Sequence, residues 1–330
     1  MPVPPQVLIW HWIAFGFLIA SLLALDLLVF HRHARAPTLR ESAGWSVFWI
    51  VLALLFNGFV WWWQGPDAGL RFLAGYLVEK SLSVDNLFVF LVIFRFFRVD
   101  LQYQYRVLFW GIIGAVVTRL VFILAGTELI HQFRWMECVF GVFLVYTGAK
   151  LALHSGAEVH PENNVLLRVA RRVLRVSQGD HREHGDRFLV RQDGRWHITP
   201  LLLVLLVIES TDVLFAVDSV PAIIGITKDR LLVFTSNIFA ILGLRALYFL
   251  LAGVMDLFRY LHYGLAAVLV FIGLKMVFEF ASPGMAIPVW TSLLVILAIL
   301  SVSVLASVVV QRREDRRQED SDGPPPNPPA

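Results

Sequence analysis

Nine stretches of about 20 mainly apolar residues follow one another along this 330-residue chain, and each is long enough to cross a bilayer as a helix. They cover roughly residues 7–30, 44–63, 70–94, 107–126, 135–153, 199–224, 231–252, 261–280 and 287–310. Charged residues make up 16% of the chain, against roughly 25% in soluble domains. We therefore predict an all-α fold, a polytopic transmembrane helix bundle with about nine spans.

The basic residues between the spans indicate an orientation. If the N-terminus lies outside, nineteen Lys and Arg fall in segments on the cytoplasmic side and four in segments on the outer side. Cytoplasmic loops of membrane proteins carry an excess of Lys and Arg. We therefore expect an external N-terminus and a cytoplasmic C-terminus, and we interpret the basic sequence pI of about 9.2 as this orientation signal and not as nucleic-acid binding.

Two of the apolar stretches carry carboxylates where a bilayer makes them costly. One stretch reads Glu-Lys-Ser-Leu-Ser-Val-Asp-Asn over residues 79–86, and the other reads Glu-Ser-Thr-Asp-Val-Leu-Phe-Ala-Val-Asp-Ser-Val-Pro over residues 209–221. One charged side chain at the centre of a span costs roughly 2.5–3.5 kcal/mol on insertion scales. Acidic residues in these positions usually mark a transport path or a binding site.

The two acidic stretches belong to a longer internal repeat. Val84-Asp85-Asn86 aligns with Val217-Asp218-Ser219 at an offset of 133 residues, and the same offset places Glu79 on Asp212. Arg119 then aligns with Arg245, and Gly148-Ala149-Lys150 with Gly273-Leu274-Lys275. Three successive spans match three others, and units with an odd number of spans must insert in opposite directions. This inverted repeat is the plan of many secondary transporters, whose substrate site lies near the midplane.

The repeat divides the chain into segments. We predict two N-terminal spans (1–69), a first three-span unit (70–153), a cytoplasmic basic, His-rich loop (154–198), an inverted second unit (199–280), a ninth span (281–310) and a disordered cytoplasmic tail (311–330). The loop is interpreted as solvated, with a basic amphipathic helix near 165–176 lying on anionic lipid. A metal sensor built from His154, His160, His181, His184 and His197 is the alternative.

Helical geometry separates the polar residues of each stretch into two faces. Glu79, Ser83 and Asn86 share one face while Asp85 lies on another, and in the second copy Asp218 is separated from the other acids in the same way. Either a helix breaks, as Pro221 allows, or two faces each line part of a path. Carboxylate, hydroxyl and amide oxygens suit Mn²⁺, Mg²⁺ or Ca²⁺ rather than Cu⁺ or Zn²⁺. The predicted metal ligands are Glu79, Asp85, Asn86, Glu209, Asp212, Asp218 and Ser219.

Basic residues within the spans give an alternative interpretation, in which the acids only form ion pairs inside a packed bundle. The candidate charge partners or gates are Asp26, Lys80, Arg119 and Arg245. Five acids against three bases still leave negative charge, which a cation or protons would neutralise. Asn237 and Ser236 are expected to bond across helices rather than to bind substrate.

These residues resemble a known family. The two acidic motifs, Leu25-Asp26 before His-Arg, and Thr235-Ser236-Asn237 with the following Ile-Phe-Ala-Ile-Leu-Gly-Leu-Arg are similar to the TerC family, and the length and the long insertion resemble its Alx-type bacterial members. The resemblance implies an integral inner-membrane protein with manganese export as its best-supported role, beside an older association with tellurium resistance. It also implies that the acids of the two motifs are the functional ones.

Together, these patterns predict a transporter and not an enzyme. We expect export of a hard divalent cation, which the resemblance implies is Mn²⁺. The alternative is a non-transporting membrane scaffold that acts through the loop and the tail. Proton exchange is expected because carboxylates in a low-dielectric site take up protons when the cation leaves. No prosthetic cofactor and no nucleic-acid partner are expected; the partners are the bilayer and the cation, and self-association or binding of another membrane protein stays open.

Overall fold

The structure is a computed structural model, and helices dominate it. It describes residues 9–30, 38–153, 167–169, 172, 175–177, 185, 187–192, 194–252, 261–282, 284–285 and 287–321. For residues 9, 26–30 and 311–321 it describes the backbone alone. The helices are α1 (Ile9–Phe30), α2 (Leu39–Gln64), α3 (Pro66–Phe96), α4 (Leu101–Gln132), α5 (Met136–Leu153), α6 (Pro200–Ile224), α7 (Arg230–Ile241), α8 (Leu244–Ala252), α9 (Leu261–Ala281) and α10 (Val289–Ser321).

The helices lie where the apolar stretches predicted them, which confirms the all-α membrane bundle. Among the described residues, seven segments are long and apolar enough to cross a membrane: α2, α4, α5, α6, the α7–α8 pair, α9 and residues 289–310 of α10. α3 is also long, but charged residues such as Glu79, Lys80 and Asp85 interrupt its apolar composition. The predicted count of nine spans stays a prediction.

Short local signals begin several of these helices. Thr38 and Glu41 form a capping box at the start of α2, in which each side chain accepts a hydrogen bond from the other's backbone amide. The Asp229 carboxylate accepts from the amides of Leu231 and Leu232 at 2.8 and 3.2 Å and so begins α7. These side chains satisfy amides that have no partner within the helix.

The helix pair α5–α9 is held together by small residues. A Cβ atom at Gly141 would lie 2.8 Å from the carbonyl oxygen of Gly273, and one at Gly148 would lie 2.8 Å from that of Ala266. The two backbones therefore approach closely, which only small residues allow. Since the partner's residue number falls as that of α5 rises, the two helices run antiparallel.

The other pairings among these helices follow a matching pattern. α3 and α7 pack side by side and run in the same direction, since Gly75 lies against Ser236 and Lys80, further along α3, lies against Ala240. α4 packs beside α6 in the same direction, from Gly111 against Ile208 to Gly126 against Ile224. In an inverted repeat of three plus three spans, α3 corresponds to α6 and α4 to α7, so a parallel α3–α7 pair implies a parallel α6–α4 pair. The repeat and its segment boundaries remain a prediction that this packing supports.

The seventh predicted span is broken, which the sequence analysis did not predict. α7 ends at Ile241, and α8 begins at Leu244 after Gly243 adopts a φ of +81°. A Cβ atom on Gly243 would lie 2.6 Å from the indole of Trp49 on α2, so the tight approach and the backbone angle both require glycine. Every residue of α7 from Leu231 to Ile241 is buried, so this broken element lies in the centre of the bundle.

Two further segments differ from the predictions. In the segment predicted to be a cytoplasmic loop, β1 (Leu189–Gln192) and β2 (Arg195–Ile198) pair antiparallel. α10 continues to Ser321 instead of ending at 310, because the Arg- and Glu-rich segment after the span has good helix propensity. The loop helix expected near 165–176 falls partly outside the described residues, of which 167–169 and 172 are helical.

Candidate functional site

A buried polar cluster lies where α3, α4, α6 and α7 meet. Its centre is the guanidinium group of Arg119, which is 1% exposed and forms an ion pair and a hydrogen bond with Glu79. The Nη1 atom of Arg119, which contacts Glu79, also donates to the Ser219 hydroxyl at 3.0 Å and to the Asn237 amide oxygen at 3.4 Å. The Nη2 atom lies 3.8 Å from Asp212. One arginine of α4 thus connects three other helices.

The oxygen atoms of this cluster face one another in the interior of the bundle. Glu79 is fully buried, and its second carboxylate oxygen accepts from the Asn237 amide at 3.3 Å. Asp212, Ser219 and Asn237 are 6%, 2% and 0% exposed. A buried carboxylate is costly unless it is paired, and two carboxylates beside one arginine leave one negative charge in excess.

Two buried oxygen atoms in and beside the cluster have no hydrogen-bond partner among the described residues. They are Oδ2 of Asp212 and the hydroxyl oxygen of Ser83, which lies one helical turn from Glu79 on the same face of α3. Buried polar groups are normally hydrogen-bonded, so such atoms need an explanation. A bound ion or water could satisfy them, and the oxygen atoms available here are those that hard cations prefer.

Glu209 lies beside the cluster on α6. Its carboxylate packs directly against Gly114 of α4, where any side chain would collide with both carboxylate oxygens. It also interacts electrostatically with Asp212, one helical turn along α6. Glu209 therefore extends the acidic surface along the α4–α6 contact.

Asp85 and Asp218 lie on other faces of their helices, as the helical geometry predicted. Both are half-buried, and each interacts with a different basic residue: Asp85 with His262 on α9, and Asp218 with Lys150 on α5. α3 and α6 pass through the motifs without a break, since α6 continues past Pro221 to Ile224. Of the two alternatives considered, two helix faces therefore line the region and no helix is broken at a motif.

The structure thus brings together only part of the predicted ligand set. Glu79, Asp212 and Ser219 converge on Arg119, and Glu209 is adjacent to them. Among the described residues, no three His, Cys, Asp or Glu side chains form a group able to hold a metal ion by themselves. Asn86 is 8% exposed on the Glu79 face of α3.

The candidate charge partners divide into different roles. Lys80 donates to the carbonyl oxygen of Ala240 at 3.2 Å, at the end of α7, where a cation compensates the helix dipole. Lys275 does the same for Gly225 at the end of α6, also at 3.2 Å. Arg245 aligns with Arg119 in the predicted repeat, and its guanidinium carbon lies 4.3 Å from the centroid of the Tyr105 ring. Asp26 belongs to α1, but its side chain lies outside the described residues, as do His154, His160, His181 and His184.

Two residues in and beside the site were not predicted as members. Asn237 was expected to bond across helices, and it does so, but its partners are Glu79 and Arg119 themselves. His262 was missed because a single histidine at the start of an apolar stretch looks like an interfacial anchor. Its relation to Asp85 depends on how α9 packs beside α3, which no local pattern reveals.

A polar cavity of about 460 Å³ opens near the α4–α5 turn, on the side predicted to be external. It is lined by Ile130, His131, Arg134, Glu137, Lys228, Glu279 and Gly284. Lys228 pairs with Glu137 across it, and nearby Arg230 pairs with Glu128 at 2.5 Å. These ion pairs tie the connection between α6 and α7 to α5, through Lys228, and the start of α7 to α4, through Arg230, at this end of the bundle.

Comparison with known proteins agrees with this architecture. The profile described as the integral membrane protein TerC family matches residues 64–315, which is more than half of the chain and includes both acidic motifs. The chain belongs to the TerC family. This confirms the resemblance seen in the motifs, and it identifies a multi-pass integral membrane protein embedded in the lipid bilayer.

Several relatives are similar over most of their length. Membrane protein STKORF319 of Myxococcus xanthus is 48% identical over 90% of this chain and 92% of its own. Alx of Salmonella typhi, a candidate membrane-bound redox modulator, is 46% identical over 88% of this chain and 92% of its own. The Alx protein of Escherichia coli K12 is 48% identical over 80% and 84% of the two chains. No solved structure matches this TerC-family chain.

Proposed function

We propose that this TerC-family protein exports a hard divalent cation, Mn²⁺ in the first place, from the cytoplasm in exchange for protons. The observation that carries the proposal is the buried cluster of Glu79, Asp212, Ser219 and Asn237, which collects oxygen donors from three helices inside a membrane bundle. Its net negative charge favours a cation and repels anions. Oxygen donors without thiolate or thioether favour Mn²⁺, Mg²⁺ or Ca²⁺.

Proton exchange is part of the same proposal. When the cation leaves, carboxylates in a low-dielectric environment bind protons more readily, so cation release and proton uptake are linked. Glu209, Asp85 and Asp218 extend the acidic surface beyond the central cluster, and they would receive the ion on its way to or from Glu79 and Asp212. The protein is then a transporter and not an enzyme, placed in the inner membrane with its N-terminus outside.

The name of the Alx relatives is compatible with this role. Cys138 is the single cysteine of the chain, so one chain cannot form a dithiol–disulfide pair of its own. A redox effect would therefore follow from the metal that is moved. Tellurium resistance would likewise be indirect under this proposal, through metal homeostasis.

The test uses cells that lack their own manganese exporters and are loaded with Mn²⁺. We expect the wild-type protein to lower the cellular manganese content, and Glu79→Gln, Asp85→Asn and Asp218→Asn to accumulate in the membrane but fail to do so. Each change keeps the size of the side chain and removes one negative charge, at the central cluster for Glu79 and along the proposed ion path for Asp85 and Asp218, and a divalent ion in a low-dielectric region interacts strongly with each such charge.

Two controls complete the test. Glu128→Gln changes an exposed carboxylate paired with Arg230 and should export normally. A chain without residues 154–187 should also export. If the carboxylate variants work normally and the loop deletion does not, the scaffold function replaces the transport function.

A further inference from the structure

The centre of the proposed cation site is occupied by a cation that belongs to the protein itself. The Arg119 guanidinium contacts Glu79, Ser219 and Asn237 through a single nitrogen, and Asp212 lies 3.8 Å from the other terminal nitrogen. These four side chains supply the oxygen donors assigned to the metal ion above. The guanidinium and a divalent ion therefore compete for one set of ligands.

Both cations cannot occupy the cluster together. Like charges in a buried, low-dielectric region repel each other strongly, and Glu79 is already in direct contact with the guanidinium. A metal ion that binds Glu79 and Asp212 must either displace Arg119 or use only atoms that the arginine leaves unused. Oε2 of Glu79 already accepts from Asn237, so among the described contacts Oδ2 of Asp212 is the one buried oxygen of the two carboxylates without a hydrogen-bond partner. One carboxylate oxygen is too little for a divalent site.

Most contacts of the Arg119 guanidinium are made by one of its three nitrogen atoms, so few atoms have to lose their partners when it is displaced. Its Nη1 atom makes three contacts, its Nη2 atom lies at the edge of ion-pair distance from Asp212, and its Nε atom has no hydrogen-bond partner among the described residues. A structural arginine that is permanently buried normally uses several of its five donors. Arg245, at the matching position of the repeat, has a different environment, stacked over Tyr105.

We propose that Arg119 is a tethered cation, which offsets one of the two carboxylate charges of the Glu79–Asp212 site in the metal-free protein and is displaced when a divalent cation binds. This inference rests on the proposed function and adds a selectivity device to it. A monovalent ion such as Na⁺ or K⁺ brings no more charge than the guanidinium that it would have to replace. A divalent ion brings twice that charge and so displaces the arginine more readily.

The experiment measures Mn²⁺ binding to purified protein in detergent by calorimetry, for the wild type, Arg119→Gln and Arg119→Lys. Arg230→Gln is the matched control, since Arg230 pairs with Glu128 in an exposed position. We expect Arg119→Gln to bind Mn²⁺ at least tenfold more tightly, because the competing cation is gone. We also expect Na⁺ at high concentration to compete with Mn²⁺ in this variant and not in the wild type.

Arg119→Lys keeps the charge but loses the forked donors that reach Ser219 and Asn237, so it should bind Mn²⁺ several-fold more tightly than the wild type. If Arg119→Gln does not fold, the Mn²⁺ affinity of Arg119→Lys provides the test. Weaker or unchanged Mn²⁺ binding in a folded variant overturns the inference and makes Arg119 a structural or positioning residue. A wild-type protein that binds no Mn²⁺, Mg²⁺ or Ca²⁺ contradicts the proposed function itself, which separates the two failures.

Discussion

At the scale of residues, helical periodicity was sufficient to sort the acids but not to pair them. The predicted face of Glu79, Ser83 and Asn86 is buried as expected, because a continuous helix keeps residues three, four and seven apart on one side. That Arg119 would contact Glu79 and Asp212 could not be predicted. Glu79 and Asp212 lie 40 and 93 residues away from Arg119 in the chain, and only the tertiary packing of α3, α4 and α6 brings the three side chains together.

Gly114 offers a test of Glu209 that leaves all acids in place. A methyl group at residue 114 would collide with the Glu209 carboxylate, whose flexible end can move aside without unfolding the helix pair. We expect Gly114→Ala to weaken Mn²⁺ binding of the purified protein several-fold. Combining it with Glu209→Asp, which withdraws the carboxylate by one methylene, should recover part of the loss. Gly44→Ala, with no atom near the added methyl, is the control, and equal binding by Gly114→Ala would argue against a role for Glu209.

At the scale of elements, the positions of the helices followed from the apolar stretches, whereas the break between α7 and α8 did not. Residues 231–252 are mainly apolar, and a single glycine within such a stretch is common in membrane helices. The reason for the break is tertiary, since Trp49 of α2 packs against Gly243. The β1–β2 hairpin was predictable, because Asp-Gly between two short strands is the signal of a two-residue turn.

Gly243→Ala should destabilise the protein. The substitution places a side chain at a φ of +81° and against the Trp49 indole, and strain of this kind costs on the order of 1–3 kcal/mol. Thermal unfolding in detergent should show a lower midpoint for Gly243→Ala. Gly58→Ala, in an open position of helix α2, should be neutral or slightly stabilising. A Gly243→Ala protein as stable as the wild type would mean that the break does not depend on the glycine.

At the scale of the whole molecule, the account depends on opposite insertion of the two three-span units. The direction of the helix pairs agrees with this, since α5 and α9 are antiparallel while α3 and α7 run in the same direction. Direction relative to the two sides of the membrane comes from the charge asymmetry alone. We therefore expect a reporter fused after residue 160 to be cytoplasmic and one fused after residue 228 to be external. Both reporters on one side would contradict the inverted repeat.

The most direct test of the central claim is Mn²⁺ uptake into liposomes that contain only the purified protein. With an acidic lumen, the wild type should accumulate Mn²⁺ as protons leave, and a protonophore should slow this uptake because the two fluxes are coupled. Mg²⁺ and Ca²⁺ in parallel vesicles measure the selectivity among hard cations. Glu79→Gln vesicles should take up no more Mn²⁺ than protein-free vesicles. Wild-type vesicles that equally fail to exceed the protein-free background, or Glu79→Gln vesicles that match the wild type, would contradict the account.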